Sequence, residues 1–290
     1  TSRALPLLYM ASVAEVLDLG TADDLSARID DAIRQVLTNQ SANGSFGLWR
    51  ASSGDLWLDA YVTDFLSRAR AEGHDVPDLP FRSALDNLAN AVANFPDFED
   101  AGEGLAYALM VLAREGQASM GDLRYYADVR LDQFGSPLAQ AQLGAALAMY
   151  GDQPRADMAF RAAFTGLTAP QLDQPAWRID YGSRARDAAG VVALAAAAGS
   201  ETVNEPALVA DVTLPVADAS TQEAVRALRA AHALIDLPDA AGLTLDGAPV
   251  SGPFVPALNG GADTVRIIEN TGPRDELLTI TRFGVPEGAT

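Results

Sequence analysis

Residues 39–66, NQSANGSFGLWRASSGDLWLDAYVTDFL, contain the pattern that decides the fold. A polar helix end is followed by Asn43-Gly44, then by a Phe-Gly-Leu-Trp turn, and then by a second helix that is rich in aromatic residues. Five aromatic residues are predicted to form core that joins one helix pair to the next: Phe46, Trp49, Trp57, Tyr61 and Phe65. This arrangement favours an α/α toroid over a helical solenoid, because no residue signature recurs at a fixed period along the chain.

Helical patterning extends outward from this segment to about residue 238. Apolar residues at three- and four-residue spacing predict helices at 2–18, 22–39, 55–71, 80–94, 100–115, 120–132, 137–150, 154–165, 183–198 and 220–235, with a weaker one near 204–210. Glycines follow five of the apolar-periodic segments, where a left-handed helix cap needs them: Gly20, Gly73, Gly116, Gly151 and Gly199. Ser220 and Glu223 form a capping box that marks the start of the last helix.

A strand pattern begins after residue 238. Three segments alternate or run in β-branched residues, with Gly-Ala-Pro, Asn-Gly-Gly and Thr-Gly-Pro turns between them: LTLDGAPV (243–250), DTVRIIEN (263–270) and ELLTITRFGV (276–285). The sequence therefore predicts a mainly α protein with a helical domain over 1–238 and a partial β-domain over 239–290. The remaining strands of that β-domain are expected elsewhere in a longer protein.

Charge and composition disfavour several classes of function. The chain has 39 acidic and 20 basic residues, all of the basic ones arginine, and a net charge of −19. Such a chain repels phosphate backbones and anionic lipid, so neither nucleic acid nor a membrane surface is an expected partner. With no cysteine and two histidines, thiol catalysis, disulfides, a His-based triad and His- or Cys-rich metal sites are disfavoured, and no cofactor or metal is expected.

Acidic residues raise one enzymatic alternative. An α/α toroid can be a glycosidase, which needs two facing carboxyls. The candidates lie after the tryptophan turn and before another helix: Asp55, Asp59, Asp64, Glu99, Asp100 and Glu103. Asp59 and Asp64 are five residues apart and so do not share a helix face, and the second group lies where a helix N-terminus favours negative charge. Catalysis by these residues is therefore not the favoured interpretation.

The remaining candidates are interpreted as structural. His74 is predicted to be a solvated loop residue and His232 a satisfied residue within the last helix. Arg186 and Asp187, together with Arg184, are predicted to form an ion pair or cap at the start of a buried helix. Two glycine-containing segments, Asn43-Gly44 and Asn259-Gly260-Gly261, are turns and not phosphate cradles, because the required glycine spacing and following helix start are missing.

With these elements in place, the sequence resembles the thioester-containing helical domain of the bacterial alpha-2-macroglobulins. In that family a Cys-x-Glu-Gln motif and a Thr are followed by Thr-Ser-Arg-Ala and an apolar helix, which TSRALPLLYM (1–10) resembles. Further matching segments follow in family order: NGSFGLW with LDAYVTDFL, AYALMVLAREG, LGAALAMYGD, YGSRARDAAGVVAL and STQEAVRAL. The resemblance implies a terpenoid-cyclase-like α/α toroid inserted in a CUB-like β-domain, and the strands after residue 238 resemble the returning half of that domain.

The resemblance also implies a function. Family members are protease inhibitors that are secreted or periplasmic and often lipid-anchored, and a thioester between Cys and Gln captures the attacking protease after bait cleavage. Thr1, Ser2 and Arg3 occupy positions that flank the thioester motif, which is expected upstream of Thr1. The implied partners are target proteases and other macroglobulin domains, and the chain itself is expected not to be an enzyme. The alternative is an α/α-toroid carbohydrate-active enzyme with a small β-domain, which requires an acidic, aromatic-lined cleft.

Overall fold

A computed structural model describes residues 1–2, 4–9, 21–95, 98, 102–169, 178, 180–204, 207–208, 219–235, 242–250 and 265–272. The chain divides into two compact units, Thr1–Leu234 and Ile235–Thr290. The predicted domain boundary at 238/239 lies outside the described residues, and the assignment of the two domains to 1–238 and 239–290 stays a prediction.

The first unit is helical, which confirms the mainly α prediction. Its described helices are α1 (Ala22–Leu37), α2 (Leu56–Ala71), α3 (Asp78–Ala93), α4 (Glu103–Arg114), α5 (Met120–Val129), α6 (Pro137–Met149), α7 (Gln153–Thr168), α8 (Arg184–Ala197) and α9 (Thr221–Ile235), with a 3-10 turn at Leu131–Gln133. Residues 7–9 are also helical, and the rest of the helix predicted at 2–18 lies mostly outside the described residues. Of the helix predicted near 204–210, the structure describes two helical residues, Ala207 and Leu208.

The helix ends follow the local chemistry of the sequence. Among the described helices, six begin at a residue whose side chain accepts a hydrogen bond from a backbone N–H of the first turn: Thr21, Asp55, Ser119, Ser136, Ser183 and Ser220. The Ser220 capping box is confirmed, because Glu223 N donates to Ser220 Oγ at 3.3 Å and Ser220 N donates to Glu223 Oε2 at 2.7 Å. Gly73, Gly116, Gly151 and Gly199 have positive φ, as predicted, and Gly20 lies outside the described residues.

The helices of this unit pack in two layers. Helices α2, α4, α6 and α8 contact one another in that order, while α3, α5 and α7 contact them from the flank. Small residues allow close approach, since a Cβ added to Gly144 of α6 would lie 3.1 Å from the carbonyl oxygen of Ala156 in α7. Alternation of inner and flanking helices is what an α/α toroid requires, and the complete toroid stays a prediction.

The second unit contains a small antiparallel sheet among its described residues. Strand β1 (Leu243–Leu245) pairs with β2 (Ala248–Pro249) on one side and with β3 (Ile268–Asn270) on the other. Asp246 and Gly247 both have positive φ, which is the geometry of a two-residue hairpin turn. The segment LTLDGAPV therefore forms a hairpin and not one strand, and its turn begins before the predicted Gly-Ala-Pro. Residues 276–285 lie outside the described residues.

Two sequence-based interpretations are wrong. The side chains of Phe46, Trp57, Tyr61 and Phe65 are buried as predicted, but Trp49 is 91% exposed. Trp49 follows Gly47 and Leu48 in a turn that carries it out of the core. His74 is not a solvated residue, because its side chain is 12% exposed and its Nδ1 lies 2.8 Å from Asp30 Oδ1.

Candidate functional site

The start of the chain is held against two helices. The N–H groups of Ala4 and Leu5 donate to the carbonyl oxygen of Thr1 at 2.9 Å each, which folds the first residues into a turn. Ser2 Oγ accepts from the hydroxyl of Tyr61 in α2 at 3.2 Å and from Nε2 of Gln222 in α9 at 3.4 Å. Thr1 and Ser2 therefore lie at a junction of elements that are distant in sequence, whereas Arg3 lies outside the described residues.

An aromatic cluster adjoins this junction through Tyr61. It consists of Trp57, Tyr61, Tyr107 and Tyr181. The ring of Trp57 stacks on that of Tyr61 with centroids 5.2 Å apart, and it contacts Tyr107 at 6.3 Å and Tyr181 at 5.4 Å. Tyr61 and Tyr107 are buried, while Tyr181 is half exposed and has a φ of 55°. The cluster contacts Ser2 through the Tyr61 hydroxyl, and at Tyr181 it ends in a ring that solvent reaches.

A paired ionic network holds the segment that carries Tyr181. Arg186 Nη2 lies 2.5 Å from Asp180 Oδ2 and 2.7 Å from Asp187 Oδ1, and Arg178 contacts both carboxylates at 2.7 Å. Burial raises the pKa of Asp180, but the guanidiniums of Arg186 and Arg178 outweigh it and hold the pKa below its usual value. The ion pair that the sequence predicted between Arg186 and Asp187 is confirmed, and Arg184 is the first residue of α8.

A second ionic group lies beneath the aromatic cluster and was missed by the sequence analysis. Fully buried Asp64 accepts from Arg68 Nε at 2.9 Å, from Tyr107 Oη at 2.9 Å and from Arg114 Nη1. Arg229 Nη1 lies 3.8 Å from Asp64 Oδ2, the oxygen to which Tyr107 donates. Burial acts to raise the pKa of Asp64, but the arginines dominate and hold it well below its usual value. The signal in the sequence was an aspartate at a buried position of an aromatic-rich helix.

Two of the other carboxylates considered for catalysis, Asp55 and Asp59, make structural contacts. Asp59 accepts from Ser45 Oγ, from Phe46 N at 2.7 Å and from Asn87 Nδ2 at 2.8 Å, and burial raises its pKa despite these bonds. Asp55 caps α2 by accepting from Leu58 N. Glu103 is the first residue of α4, and burial raises its pKa as well. Glu99 and Asp100 lie outside the described residues.

Three further observations concern the described residues. In the described ranges, no group of three or more His, Asp or Glu side chains is arranged to hold a metal ion. A helix with the length and apolar character to cross a membrane is not found among the residues that the structure describes. His232 packs edge-on against the ring of Tyr9 with centroids 5.3 Å apart, in keeping with the structural role predicted for it.

The sequence is similar to bacterial alpha-2-macroglobulins. It is 33% identical to alpha-2-macroglobulin of Escherichia coli K12 over 207 residues, which is 67% of this chain and 12% of that protein. It is 31% identical to alpha-2-macroglobulin of Xylella fastidiosa strain Temecula1 over 181 residues, which is 59% of this chain and 11% of that protein. The chain thus spans about an eighth of the length of the curated relatives that it matches. No protein-family model matches it.

Solved structures show the same similarity. Native E. coli alpha-2-macroglobulin matches 93% of this chain with 26% identity and a TM-score of 0.73, and the match takes up 17% of that protein. A Salmonella alpha-2-macroglobulin reacted with methylamine matches 93% with 27% identity and a TM-score of 0.72, over 17% of its chain. An E. coli alpha-2-macroglobulin activated by porcine elastase matches 87% with 28% identity and a TM-score of 0.70, over 24% of its chain. None of these similar proteins is a carbohydrate-active enzyme.

Proposed function

We propose, from the premise that this chain belongs to the bacterial alpha-2-macroglobulin family, that it is a helical domain together with part of an adjoining β-domain. The helical domain would hold the thioester of a protease-trapping protein. Similarity to these proteins along most of the chain supports the proposal, as does the chemistry named for the solved neighbours. One of those neighbours was activated by elastase, another by trypsin, and a third reacted with methylamine. Proteases are accordingly the proposed partners of the longer protein, with its other macroglobulin domains.

The observation that carries the proposal is the fixation of Ser2. Tyr61 and Gln222 both donate to its hydroxyl, so Ser2 is held beside Tyr61, which belongs to the aromatic cluster. In this proposal the residues upstream of Thr1 lie against that cluster. A thioester is a stored acylating group that must be kept from water until it is needed. Buried aromatic rings beside the entry point supply such a dry surface. In this proposal Thr1, Ser2 and Arg3 flank the thioester and position it, and the chain contributes no catalytic group.

The same proposal assigns the two domains, the topology and the location. Residues 1–238 would close into an α/α toroid, and α9 supports this because its side chains return to α2 and α4 through Arg229 and Arg226. Residues 239–290 would belong to a CUB-like domain completed by other parts of the protein.

An inhibitor of foreign proteases acts outside the cytoplasm, so we propose that the protein acts in the periplasm or the extracellular medium, in bacterial defence. Any membrane attachment would come from a lipid anchor outside these residues.

The carbohydrate-active alternative has no support. Its discriminating feature is a pair of facing carboxyls in an aromatic-lined cleft. Asp64 beneath the aromatic cluster is instead bound by arginines, and Asp59 by Ser45, Phe46 and Asn87.

Methylamine labelling of the full-length protein tests the proposal. A thioester should gain the mass of one methylamine at the Gln of an upstream Cys-x-Glu-Gln motif, and trypsin or elastase should form an adduct that survives denaturing electrophoresis. Tyr61→Phe should speed methylamine uptake because it removes one of the two hydrogen bonds that hold Ser2, whereas Tyr125→Phe, at an exposed tyrosine, should not. Absence of both the label and the adduct would refute the thioester role, and equal uptake by the two variants would refute the role of Ser2.

A further inference from the structure

An exposed loop lies between α1 and α2. Every residue from Leu48 to Asp55 is exposed, and Trp49 is 91% exposed. Within this described stretch, no backbone N–H or C=O from Leu48 to Ser53 forms a hydrogen bond with another backbone group. Exposed loop tips of this kind are where proteases cut folded proteins, because the chain is free to enter an active site. Both the side chains and the backbone of the loop are therefore accessible to another protein.

The two ends of this loop are tied together at a neck. Gly54 N donates to Ser45 Oγ at 2.8 Å, and Ser45 Oγ donates in turn to the Asp59 carboxylate of α2 at 2.9 Å. Phe46 N donates to the same carboxylate at 2.7 Å. A Cβ added to Gly54 would lie 2.1 Å from the carbonyl oxygen of Phe46, so the two backbones touch. Residues 47–53 therefore form a short loop with closed ends, of the Ω type.

The tip of the loop carries side chains that serine proteases recognise. Arg50 is exposed and offers a cation to the acidic specificity pocket of a trypsin-like protease. Trp49 offers an aromatic ring to the apolar pocket of a chymotrypsin-like protease. Arg34 provides a comparison, since it is exposed as well but lies in α1, where the backbone is helical, and pairs with Asp31. Arg50 differs in combining an exposed cation with an unpaired backbone.

We propose that the 47–53 loop is a recognition site for a trypsin-like serine protease, which hydrolyses the bond between Arg50 and Ala51. The C–N bond of that peptide group breaks, and one water molecule supplies a hydroxyl to the Arg50 carbonyl carbon and a proton to the Ala51 nitrogen. The protease supplies the nucleophile and the general base. The site goes beyond the proposed function, because the loop needs no thioester in order to be bound and cut.

The carbonyl group that the protease attacks lies over Gly47. A Cβ added to Gly47 would lie 2.0 Å from the Arg50 carbonyl oxygen and 2.3 Å from Ser52 Oγ. Ser52 Oγ also donates to the Arg50 carbonyl oxygen at 3.4 Å. The tip must therefore open before the attack, and we expect the folded loop to be cut more slowly than an unfolded peptide of the same sequence.

The chain should remain one folded body after the cut. The part that precedes the cut contributes Leu25, Ile29, Ile33 and Phe46 to the core, and all four are at most 3% exposed. The neck bonds of Ser45 and Phe46 join the two parts as well. Cleavage would thus leave a new carboxylate at Arg50 on a fold that is otherwise retained.

Limited digestion of the 290-residue chain with trypsin, followed by mass spectrometry, tests the proposal. The bond after Arg50 should be cut at least about tenfold faster than the bond after Arg34, because a helix must unfold locally before it can be cut. Arg50→Gln should abolish the cut at the loop, whereas the matched variant Arg34→Gln should leave its rate unchanged. Chymotrypsin should still cut after Trp49 in Arg50→Gln. A synthetic peptide of residues 45–55 is the unfolded reference.

The outcomes separate the parts of the proposal. Absence of a cut after Arg50, or a cut no faster than that after Arg34, overturns the recognition site. Equal cutting rates for the chain and the peptide would overturn the opening step. Fragments 1–50 and 51–290 should elute together in gel filtration, and their separation would overturn the retained fold. All of these results are independent of methylamine labelling, so a failure here is distinct from a failure of the thioester role.

Discussion

Asp64→Asn is the sharpest perturbation of the first unit. The substitution preserves shape but removes the negative charge that Arg68, Arg114 and Arg229 share, while Tyr107 keeps an oxygen to which it can donate. Breaking a buried ion pair from one side costs about 3–5 kcal/mol, because the partner charge is left uncompensated. Since several arginines lose their partner here, we expect the upper part of that range. For a unit of this size a loss of about 4–5 kcal/mol corresponds to a fall in Tm of about 8–20 °C.

The pH dependence provides an independent check of the same reasoning. The folded pKa of Asp64 lies well below its usual value, so its contribution to stability is fully present above the unfolded pKa of about 4. That contribution is lost as the pH falls through the folded pKa. The difference in Tm between wild type and variant should therefore be constant from about pH 5 to pH 8 and should shrink only below about pH 4.

Circular dichroism at increasing temperature measures these differences. Asp31→Asn is the matched control, because Asp31 forms an exposed pair with Arg34 and its loss should change Tm by less than about 2 °C. Adding Arg229→Met to Asp64→Asn should recover part of the lost stability, since it removes one of the uncompensated cations. A variant as stable as the wild type, or a difference that varies strongly between pH 5 and pH 8, would refute the charge argument.

Three further predictions concern stability alone. Gly102→Ala should lower the free energy of urea unfolding by about 2–3 kcal/mol, and Gly116→Ala by only about 1 kcal/mol. Both glycines have positive φ, but a Cβ at Gly102 would also lie 2.7 Å from the Phe98 ring, so equal costs would contradict this reasoning. Glu103→Gln should gain stability relative to wild type as the pH rises from 4 to 7. Burial raises the folded pKa of Glu103, so the wild type loses stability as the pH rises through that pKa. Parallel stability profiles of the two proteins across this pH range would show that ionising Glu103 costs no stability. Ser220→Ala should cost about 1 kcal/mol through loss of the α9 cap, and an unchanged urea midpoint would show that the box contributes nothing.

Most helix positions could be predicted because the rules for helix ends are local. The errors at the ends have physical reasons. The sequence placed the start of α3 at Pro80, but the helix begins at Asp78, since a proline in the first turn needs no N–H partner. The helix predicted from residue 100 begins at Glu103, because the left-handed conformation of Gly102 interrupts it. Capping motifs and glycines report on three or four residues at a time, and they were sufficient for this purpose.

The candidate site could be predicted only in part. The family resemblance selected Thr1 and Ser2, and aromatic spacing selected Trp57 and Tyr61. Gln222 was missed, because nothing local indicates that a residue of the last helix donates to the second residue of the chain. The contact is made by tertiary packing.

The buried arginine cluster around Asp64 could not be predicted from the composition of the chain. Gln222, Arg226 and Arg229 follow one another at four- and three-residue spacing, so the sequence does place them on one face of α9. A polar face at helical spacing normally indicates solvent, and an overall charge of −19 suggests an excess of acidic groups everywhere. The fold reverses both expectations at this site, because α2 and α4 cover the face and, within the described residues, three arginines meet one aspartate while Arg226 lies over the ring of Tyr107. Net charge describes the sum over the chain, whereas the charge at a buried site is set by which helices meet there.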